Sequence, residues 1–345
     1  MCIDRVSLWT VVKTMTKSAI FKASSLTSLP YEIKEVGQMR MGDQQVDHWR
    51  THGYVVVEKF LTGSELERAR AELYGMFPTS EKYAADPAAF PEVQQGQWIR
   101  EFPLPAPTIN RISTHPDIVS FVERVLGTRD LLMTQSQVWA KYGIAGDFHD
   151  QPLHFDWDDN SLVVPAEDLE IEQVPAILYY EDVTADLGPT YVLSKQHYQE
   201  MPFVMHTTDR SRDWNKRPRS HFPELYEYER AVTVPAGSIL FFSMSTLHRG
   251  SRFASARGAR FSHHLVYRNA SCHWMGWQAW PRFAISEDLR RFVQEATPRA
   301  RDVIGFPPVG HRYWTPKTLD QVAARYPGID MTPYRAGACT DSGGT

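Results

Sequence analysis

The amino-acid sequence predicts a mainly β fold with flanking helices, a sandwich or barrel rather than a parallel α/β sheet. Three observations predict it. Strand-like segments follow one another from Leu131 to Tyr267. Glycine and proline turns punctuate them at short intervals, as at Pro235-Ala236-Gly237, which is the pattern of antiparallel sandwiches and barrels. Helical periodicity is confined to the stretches on either side of that block.

The elements run as follows. Residues 1–44 carry no strong periodicity and read as a disordered or loosely packed extension. Val46 to Arg50 is a short helix, and Gly53 turns the chain into the β-branched strand Tyr54-Val55-Val56-Val57. Thr62-Gly63-Ser64-Glu65 has the capping-box pattern, and the helix it opens puts Leu66, Ala69 and Leu73 on one face. A further helix spans His115 to Leu126. Pro116 suits its first turn, Ile118, Phe121, Val122 and Val125 form its apolar stripe, and Gly127 stops it. Leu131 to Lys141 is a long strand, with Gln135, Gln137 and Trp139 on one face and Thr134, Ser136 and Val138 on the other. Pro175 to Tyr180, Tyr191 to Leu193, Ala231 to Val234, Ser238 to Phe242 and Arg260 to Tyr267 follow as strands. Residues 199–230 form a long polar and aromatic insertion, of the kind that serves as a lid or binding loop. Ser286 caps a helix over Glu287 to Ala296. Another runs from Leu319 to Tyr326, before Pro327-Gly328. Residues 336–345 read as a disordered tail, so a single domain spans residues 45–335.

Composition sets the class. The chain is 42% hydrophobic and 23% charged, as folded proteins are. A formal charge of −4 argues against a general binder of nucleic acid or membrane surfaces. Cys2, Cys272 and Cys339 lie far apart with no CxxC spacing. That implies neither a disulfide framework nor a cysteine zinc site, and a reducing cytoplasm is the simplest compartment. No apolar run reaches the ~18 residues a membrane-spanning helix needs. The first residues lack a clear small-residue cleavage site, so no secretory signal is expected.

The chemistry concentrates in His154-Phe155-Asp156 and the distant His248. In a strand, residues i and i+2 share a face, so His154 and Asp156 can reach one metal while Phe155 points into packing. His248 follows the apolar strand Ser238 to Phe242, where a ligand can be held rigidly. Two imidazoles and a carboxylate can occupy one face of iron(II) and leave other positions open. His149, His197, His263 and His264 are alternative ligands at this stage. Arg260 is a fixed positive charge that matches a carboxylate bidentately. Arg249, Arg252 and Arg257 compete with it on position alone.

These residues carry a resemblance. Trp49-Arg50-Thr51-His52-Gly53-Tyr54-Val55-Val56, His154 and Asp156, the acidic turn Glu181 to Thr190, His248-Arg249-Gly250-Ser251 and Gly258-Ala259-Arg260 resemble the phytanoyl-CoA dioxygenase family. The resemblance covers about Val46 to His264. Ser194-Lys195-Gln196-His197 stands where that family often has Pro-Gly-Ser-His, so the Pro and Gly are missing here.

The resemblance implies a double-stranded β-helix, the cupin-like jelly roll. It implies an iron(II)/2-oxoglutarate-dependent dioxygenase with O2 as second co-substrate. His154, Asp156 and His248 would ligate iron, and Arg260 would take the distal carboxylate of 2-oxoglutarate. Ser251 would add a hydroxyl there, and Gln137 would either bond the iron-proximal carboxylate or be a polar strand residue satisfied by its own neighbours. Family members that halogenate replace the metal carboxylate with a small residue. Asp156 is present here, so the expectation is hydroxylation of a small-molecule substrate, whether acyl-CoA, lipid or secondary metabolite, with release of succinate and CO2. Trp139, Phe155 and Trp157 are candidate walls of a dry pocket. Residues 209–219, with five basic and two acidic side chains, can meet an acidic substrate or simply face water. The alternatives are a cupin-type metal enzyme that does not use 2-oxoglutarate, and a catalytically silent binding protein on the same fold.

Overall fold

Two antiparallel sheets carry the architecture. The computed structural model describes residues 40–93, 97–143, 150–156, 173–198, 223–272, 280 and 286–337. The large sheet contains β1 (Tyr54–Val57), β2 (Gln97–Glu101), β3 (Leu131–Tyr142), β4 (Gln173–Tyr179), β7 (Ile239–Phe242) and β9 (Ala259–Asn269). Their order across the sheet is β1-β7-β4-β9-β3-β2. The small sheet contains β5 (Thr190–Val192), β6 (Arg230–Ala231) and β8 (His248–Gly250), in the order β6-β5-β8. Neither sheet closes into a barrel. Two antiparallel sheets packed face to face make the jelly-roll arrangement, mainly β with flanking helices.

Period-two alternation divides the large sheet. On β9, Phe261, Leu265 and Tyr267 join the main core. That core is completed by α1 (Asp43–His52), α2 (Gly63–Met76), α4 (Pro107–Ile112) and α5 (Pro116–Leu126), which follow the short α3 (Ser80–Ala85) or precede it. The later α6 (Glu287–Glu295) and α7 (Pro298–Val303) add to it, as do α8 (Pro316–Arg325) and α9 (Thr332–Gly337). The stripe predicted for α5 is buried, and the Phe121 ring lies 4.3 Å from that of Phe241 on β7. The opposite face of the large sheet supplies Ile177, Tyr179, Leu240 and Phe242 to a second core with Val183, Val192, Val232 and Val234. That core glues the two sheets together, and β4 is buried along its whole length.

Register places the polar residues. Across β3 and β9, Gln137 opposes His264, Trp139 opposes Ser262, and Lys141 opposes Arg260. On the far side of β9, Tyr179 opposes Ser262. A bulge between Met133 and Gln135 interrupts the alternation predicted around Thr134.

The capping box at Thr62 does not form. Thr62 precedes α2 without a side-chain cap. The Glu65 carboxylate, which would have reached back, pairs instead with Arg40 at 3.0 Å and His115 at 3.4 Å. Ser286 does cap α6, accepting from the Leu289 N–H at 3.2 Å. Among the described residues, no helix is long and apolar enough to cross a membrane.

Candidate metal centre

His154 lies in no regular strand. It forms a single bridge to β8, and the two histidines exchange backbone hydrogen bonds of 3.0 and 3.1 Å. Alternation still holds over the triplet, because Leu153 and Phe155 turn into an apolar cluster with Leu193, Leu225, Met244 and Leu247. Phe155 is therefore core rather than pocket wall, and Trp157 lies outside the described residues. His154 and Asp156 are left on the opposite side, facing His248.

Backbone carbonyls set both imidazoles. His154 Nδ1 donates to the Pro152 carbonyl at 2.9 Å, and His248 Nδ1 donates to the Thr246 carbonyl at 2.9 Å. Each ring is thus protonated on Nδ1 and offers its Nε2 lone pair, the usual support for a metal-bound histidine. Asp156 Oδ1 stands 4.0 Å from His154 Nε2 and 3.3 Å from His248 Nε2. All three ligand atoms lie within 4.8 Å of one another. The Phe242 ring, 4.6 Å from that of His248, closes one side.

Charge follows geometry. Burial pushes the Asp156 carboxyl up, but attraction and hydrogen bonding from His248, then attraction from His154, outweigh it and hold it below the usual range. For His248 burial works downward, and the Asp156 carboxylate more than offsets it. The site therefore keeps an ionised carboxylate between two imidazoles.

The other histidines have other work. His263 is fully buried on the helix side, with Nε2 2.9 Å from Ser136 Oγ and Nδ1 2.9 Å from Tyr180 Oη. Burial, then His264, pushes its pKa down to about 3. His264 stacks on Trp139 at 4.4 Å, and burial followed by Arg260 depresses it to about 3. His197 stacks on Tyr228. His149 lies outside the described residues. Among the described residues, His154, Asp156 and His248 are the one group of three such ligands gathered together.

The arginines separate as clearly. Arg252 and Arg257 are exposed. Arg249 is buried, but Glu229 binds it bidentately at 2.7 and 2.6 Å, and Asp150 lies 3.1 Å away. Arg260 is buried, and among the described residues nothing hydrogen-bonds its Nε or Nη1. Burial lowers its pKa, with Tyr179 opposing. Tyr179 Oη donates to Thr190 Oγ1 at 2.9 Å. Ser251 Oγ donates to the Pro189 carbonyl at 2.6 Å and can still accept. Gln137 sits in a ladder: its amide oxygen accepts from Gln135 at 2.9 Å and Trp139 at 3.1 Å, and its nitrogen donates to Glu101 at 2.9 Å. Residues 209–219 lie outside the described residues.

The donor set fits a divalent iron ion, since two preset Nε2 lone pairs and one carboxylate oxygen make a two-histidine, one-carboxylate face. A desolvated guanidinium with uncommitted donors fits a carboxylate.

A family model described as phytanoyl-CoA dioxygenase (PhyH) matches residues 49–261. No curated protein matches the chain. Among solved structures, HygX from Streptomyces hygroscopicus with nickel and 2-oxoglutarate bound is 18% identical, with a TM-score of 0.49, covering 69% of this chain and 90% of its own. The epimerase SnoN in complex with Fe3+, alpha ketoglutarate and nogalamycin RO is 17% identical, with a TM-score of 0.47, covering 66% and 84%. Likeness at this level assigns neither chemistry nor substrate to the chain.

Proposed function

The chain belongs to the phytanoyl-CoA dioxygenase family, and we propose that it hydroxylates an unactivated carbon of a small-molecule or acyl substrate. As a member it is a non-haem iron, 2-oxoglutarate-dependent oxygenase. The balance of the proposed reaction is substrate C–H, O2 and 2-oxoglutarate going to substrate C–OH, succinate and CO2. The observation that carries the reading is the convergence of His154, Asp156 and His248 within 4.8 Å. Asp156 supports hydroxylation in particular, because its carboxylate fills the position that a halide would need.

The residues divide the work. His154, Asp156 and His248 would hold iron(II), which with 2-oxoglutarate bound supplies the O2 activation that C–H oxidation requires. The carbonyls of Pro152 and Thr246 keep both imidazoles in the ligating tautomer. Arg260 would fork onto the distal carboxylate of 2-oxoglutarate, with the Ser251 hydroxyl beside it. Gln137, whose amide nitrogen has a second N–H beyond the one given to Glu101, would donate to the proximal carboxylate. Phe242 and Val192 shield the centre from water on the inter-sheet side. Residues 45–335 are read as one oxygenase domain, and the sparse cysteines favour the cytoplasm. The substrate would be an acyl-CoA, a lipid or a secondary metabolite.

The test is succinate release with iron(II), 2-oxoglutarate and O2, screened over acyl-CoAs, free lipids and polar metabolites. A hit should give a product heavier by one oxygen atom, labelled from 18O2. Asp156→Ala should abolish substrate-triggered succinate. Unchanged turnover in that variant would sink the ligand assignment.

A further inference from the structure

We propose that His264 is a further binding residue for 2-oxoglutarate, donating from its Nδ1 to the keto-acid end that the metal holds. The inference rests on the reading of the site above and extends it to a residue that does not ligate the metal.

Its place in the sheet comes first. β9 runs between β4 and β3, and from Ala259 to Tyr267 every residue but His264 is buried. Strands flank it on both sides, so the surface that His264 keeps looks out from a face of the sheet. Phe261, Leu265 and Tyr267 fill the face toward the main core. Alternation puts Arg260, Ser262 and His264 on the other, about 7 Å apart per step. Besides burial, the groups that act on the imidazole are Arg260, then Asp156 and His248. His264 therefore stands between the guanidinium at one end of the site and the metal ligands at the other. A 2-oxoglutarate held at both ends has to cross that stretch.

Hydrogen bonding makes the ring a donor. His264 Nε2 lies 3.1 Å from Ser262 Oγ. The Ser262 hydroxyl is 2% exposed, and among the described residues its side chain makes no other hydrogen bond. A buried hydroxyl gives its proton to the acceptor within reach, so it donates to Nε2. The neutral ring then carries its one proton on Nδ1, for which the described residues supply no acceptor. His154 and His248 are the converse: their Nδ1 protons go to backbone carbonyls, and their Nε2 lone pairs are left for the metal. The ring is also held flat. It stacks on Trp139 with centroids 4.4 Å and planes 30° apart, and Trp139 Nε1 is tied to Gln137 Oε1 at 3.1 Å. Gln137 is the direct partner of His264 across β3 and β9, and residues so opposed stand with Cβ atoms roughly 5 Å apart. Two neutral N–H donors thus lie side by side. Neutral donors suit the keto-acid end, where a bound metal already supplies the positive charge, whereas the distal carboxylate takes the charged Arg260.

The experiment is calorimetric titration of the iron(II)-loaded full chain under argon. The probes are 2-oxoglutarate and 2-oxobutyrate, which keeps the keto acid and lacks the distal carboxylate. His264→Phe retains the stack on Trp139 and removes the N–H. It should weaken both acids by the same factor, about tenfold or more, the usual worth of a hydrogen bond to a charged group. Its nickel(II) titration without any 2-oxo acid should match the parent. His264→Asn, whose amide nitrogen lies close to the place of Nδ1, should regain most of the affinity although it cannot stack, a rescue that a packing role would not give. Parent-like binding of both acids by His264→Phe would overturn the proposal. A loss confined to 2-oxoglutarate would also overturn it, because the ring would then serve the distal end. Weakened nickel binding would make the ring a support of the metal ligands and overturn it as well. Arg260→Leu tests the underlying reading by itself: it should weaken 2-oxoglutarate and leave 2-oxobutyrate unchanged. If that variant still prefers 2-oxoglutarate as the parent does, the distal subsite is misplaced, whatever His264→Phe shows.

Discussion

Replacing Arg249 with methionine should lower thermal stability and loosen metal binding together. Arg249 follows the ligand His248 directly and projects from the other face of β8. There it is clamped by Glu229 through bonds of 2.7 and 2.6 Å, by Asp150 at 3.1 Å, and by the Tyr191 ring 4.3 Å from its guanidinium carbon. The arginine and Glu229 side chains are only 9% and 11% exposed, so neither is screened as a surface pair would be. Removing the arginine leaves the Glu229 carboxylate buried with no cation. Breaking a buried pair in this way costs about 3–5 kcal/mol, with the lost cation–π contact inside that figure. At roughly 2–4 °C per kcal/mol, Tm should fall by about 6–20 °C. Glu229 sits just before β6 and Asp150 just before the His154 bridge, so the clamp ties three chain segments around the ligand pair. Metal affinity should therefore drop about tenfold to a hundredfold, as when support behind a ligand is lost. The assays are melting curves and a nickel(II) titration. Arg249→Met with Glu229→Gln should regain more than half the lost stability, because the one bare carboxylate that remains, Asp150, is 38% exposed. A single variant melting within about 1 °C of the parent would refute the energetic argument. One that melts low yet binds nickel normally would refute the link to His248.

Three further outcomes follow from the same structure. His263 titrates at about 3 when folded against 6.5 when exposed. The unfolded chain thus binds the extra proton, and stability should be full above pH 6.5 and fall by about 1.4 kcal/mol per unit on acidification through that window. His263→Asn should flatten that acid limb in melts between about pH 4 and pH 6.5, and an unchanged slope would count against the burial argument. Divalent manganese at a hundred times its Kd should stabilise the protein by about 2.7 kcal/mol. Asp156→Ala should erase the thermal shift, and a surviving shift would mean the metal binds elsewhere. Gly237 has a φ of 81°, and a Cβ there would stand 2.0 Å from the Leu61 carbonyl oxygen. Gly237→Ala should cost about 2 kcal/mol or more by denaturant unfolding, and a loss below ~0.5 kcal/mol would show that the turn relaxes.

What the sequence revealed depended on how far apart the interacting residues lie. Strands such as β7 and β9 were legible because burial on one or both faces writes itself into local alternation. His154 and Asp156 were legible for the same reason, and the intervening Phe155 turned inward even though the expected strand is a single bridge. The Thr62 capping box misled because a longer-range demand won. Glu65 satisfies Arg40 and His115, which no local pattern announces. Gln137 was read as a donor to the iron-proximal carboxylate or as a satisfied strand residue. Its hydrogen bonds from Gln135 and Trp139 run along β3 itself, but the one to Glu101 depends on the pairing of β2 with β3 and could not be read locally.

The arginines make the limit most concrete. Arg249, Arg252, Arg257 and Arg260 fall within one short stretch, and chain position cannot rank them for carboxylate binding. Exposure removes Arg252 and Arg257, since a guanidinium in water gains little by taking up a carboxylate. Arg249 is buried, but Glu229 already occupies its fork. Arg260 is the buried one whose Nε and Nη1 are met by nothing among the described residues. Burying such donors unmet costs free energy, so the fold keeps Arg260 in a state that a ligand's carboxylate would relieve.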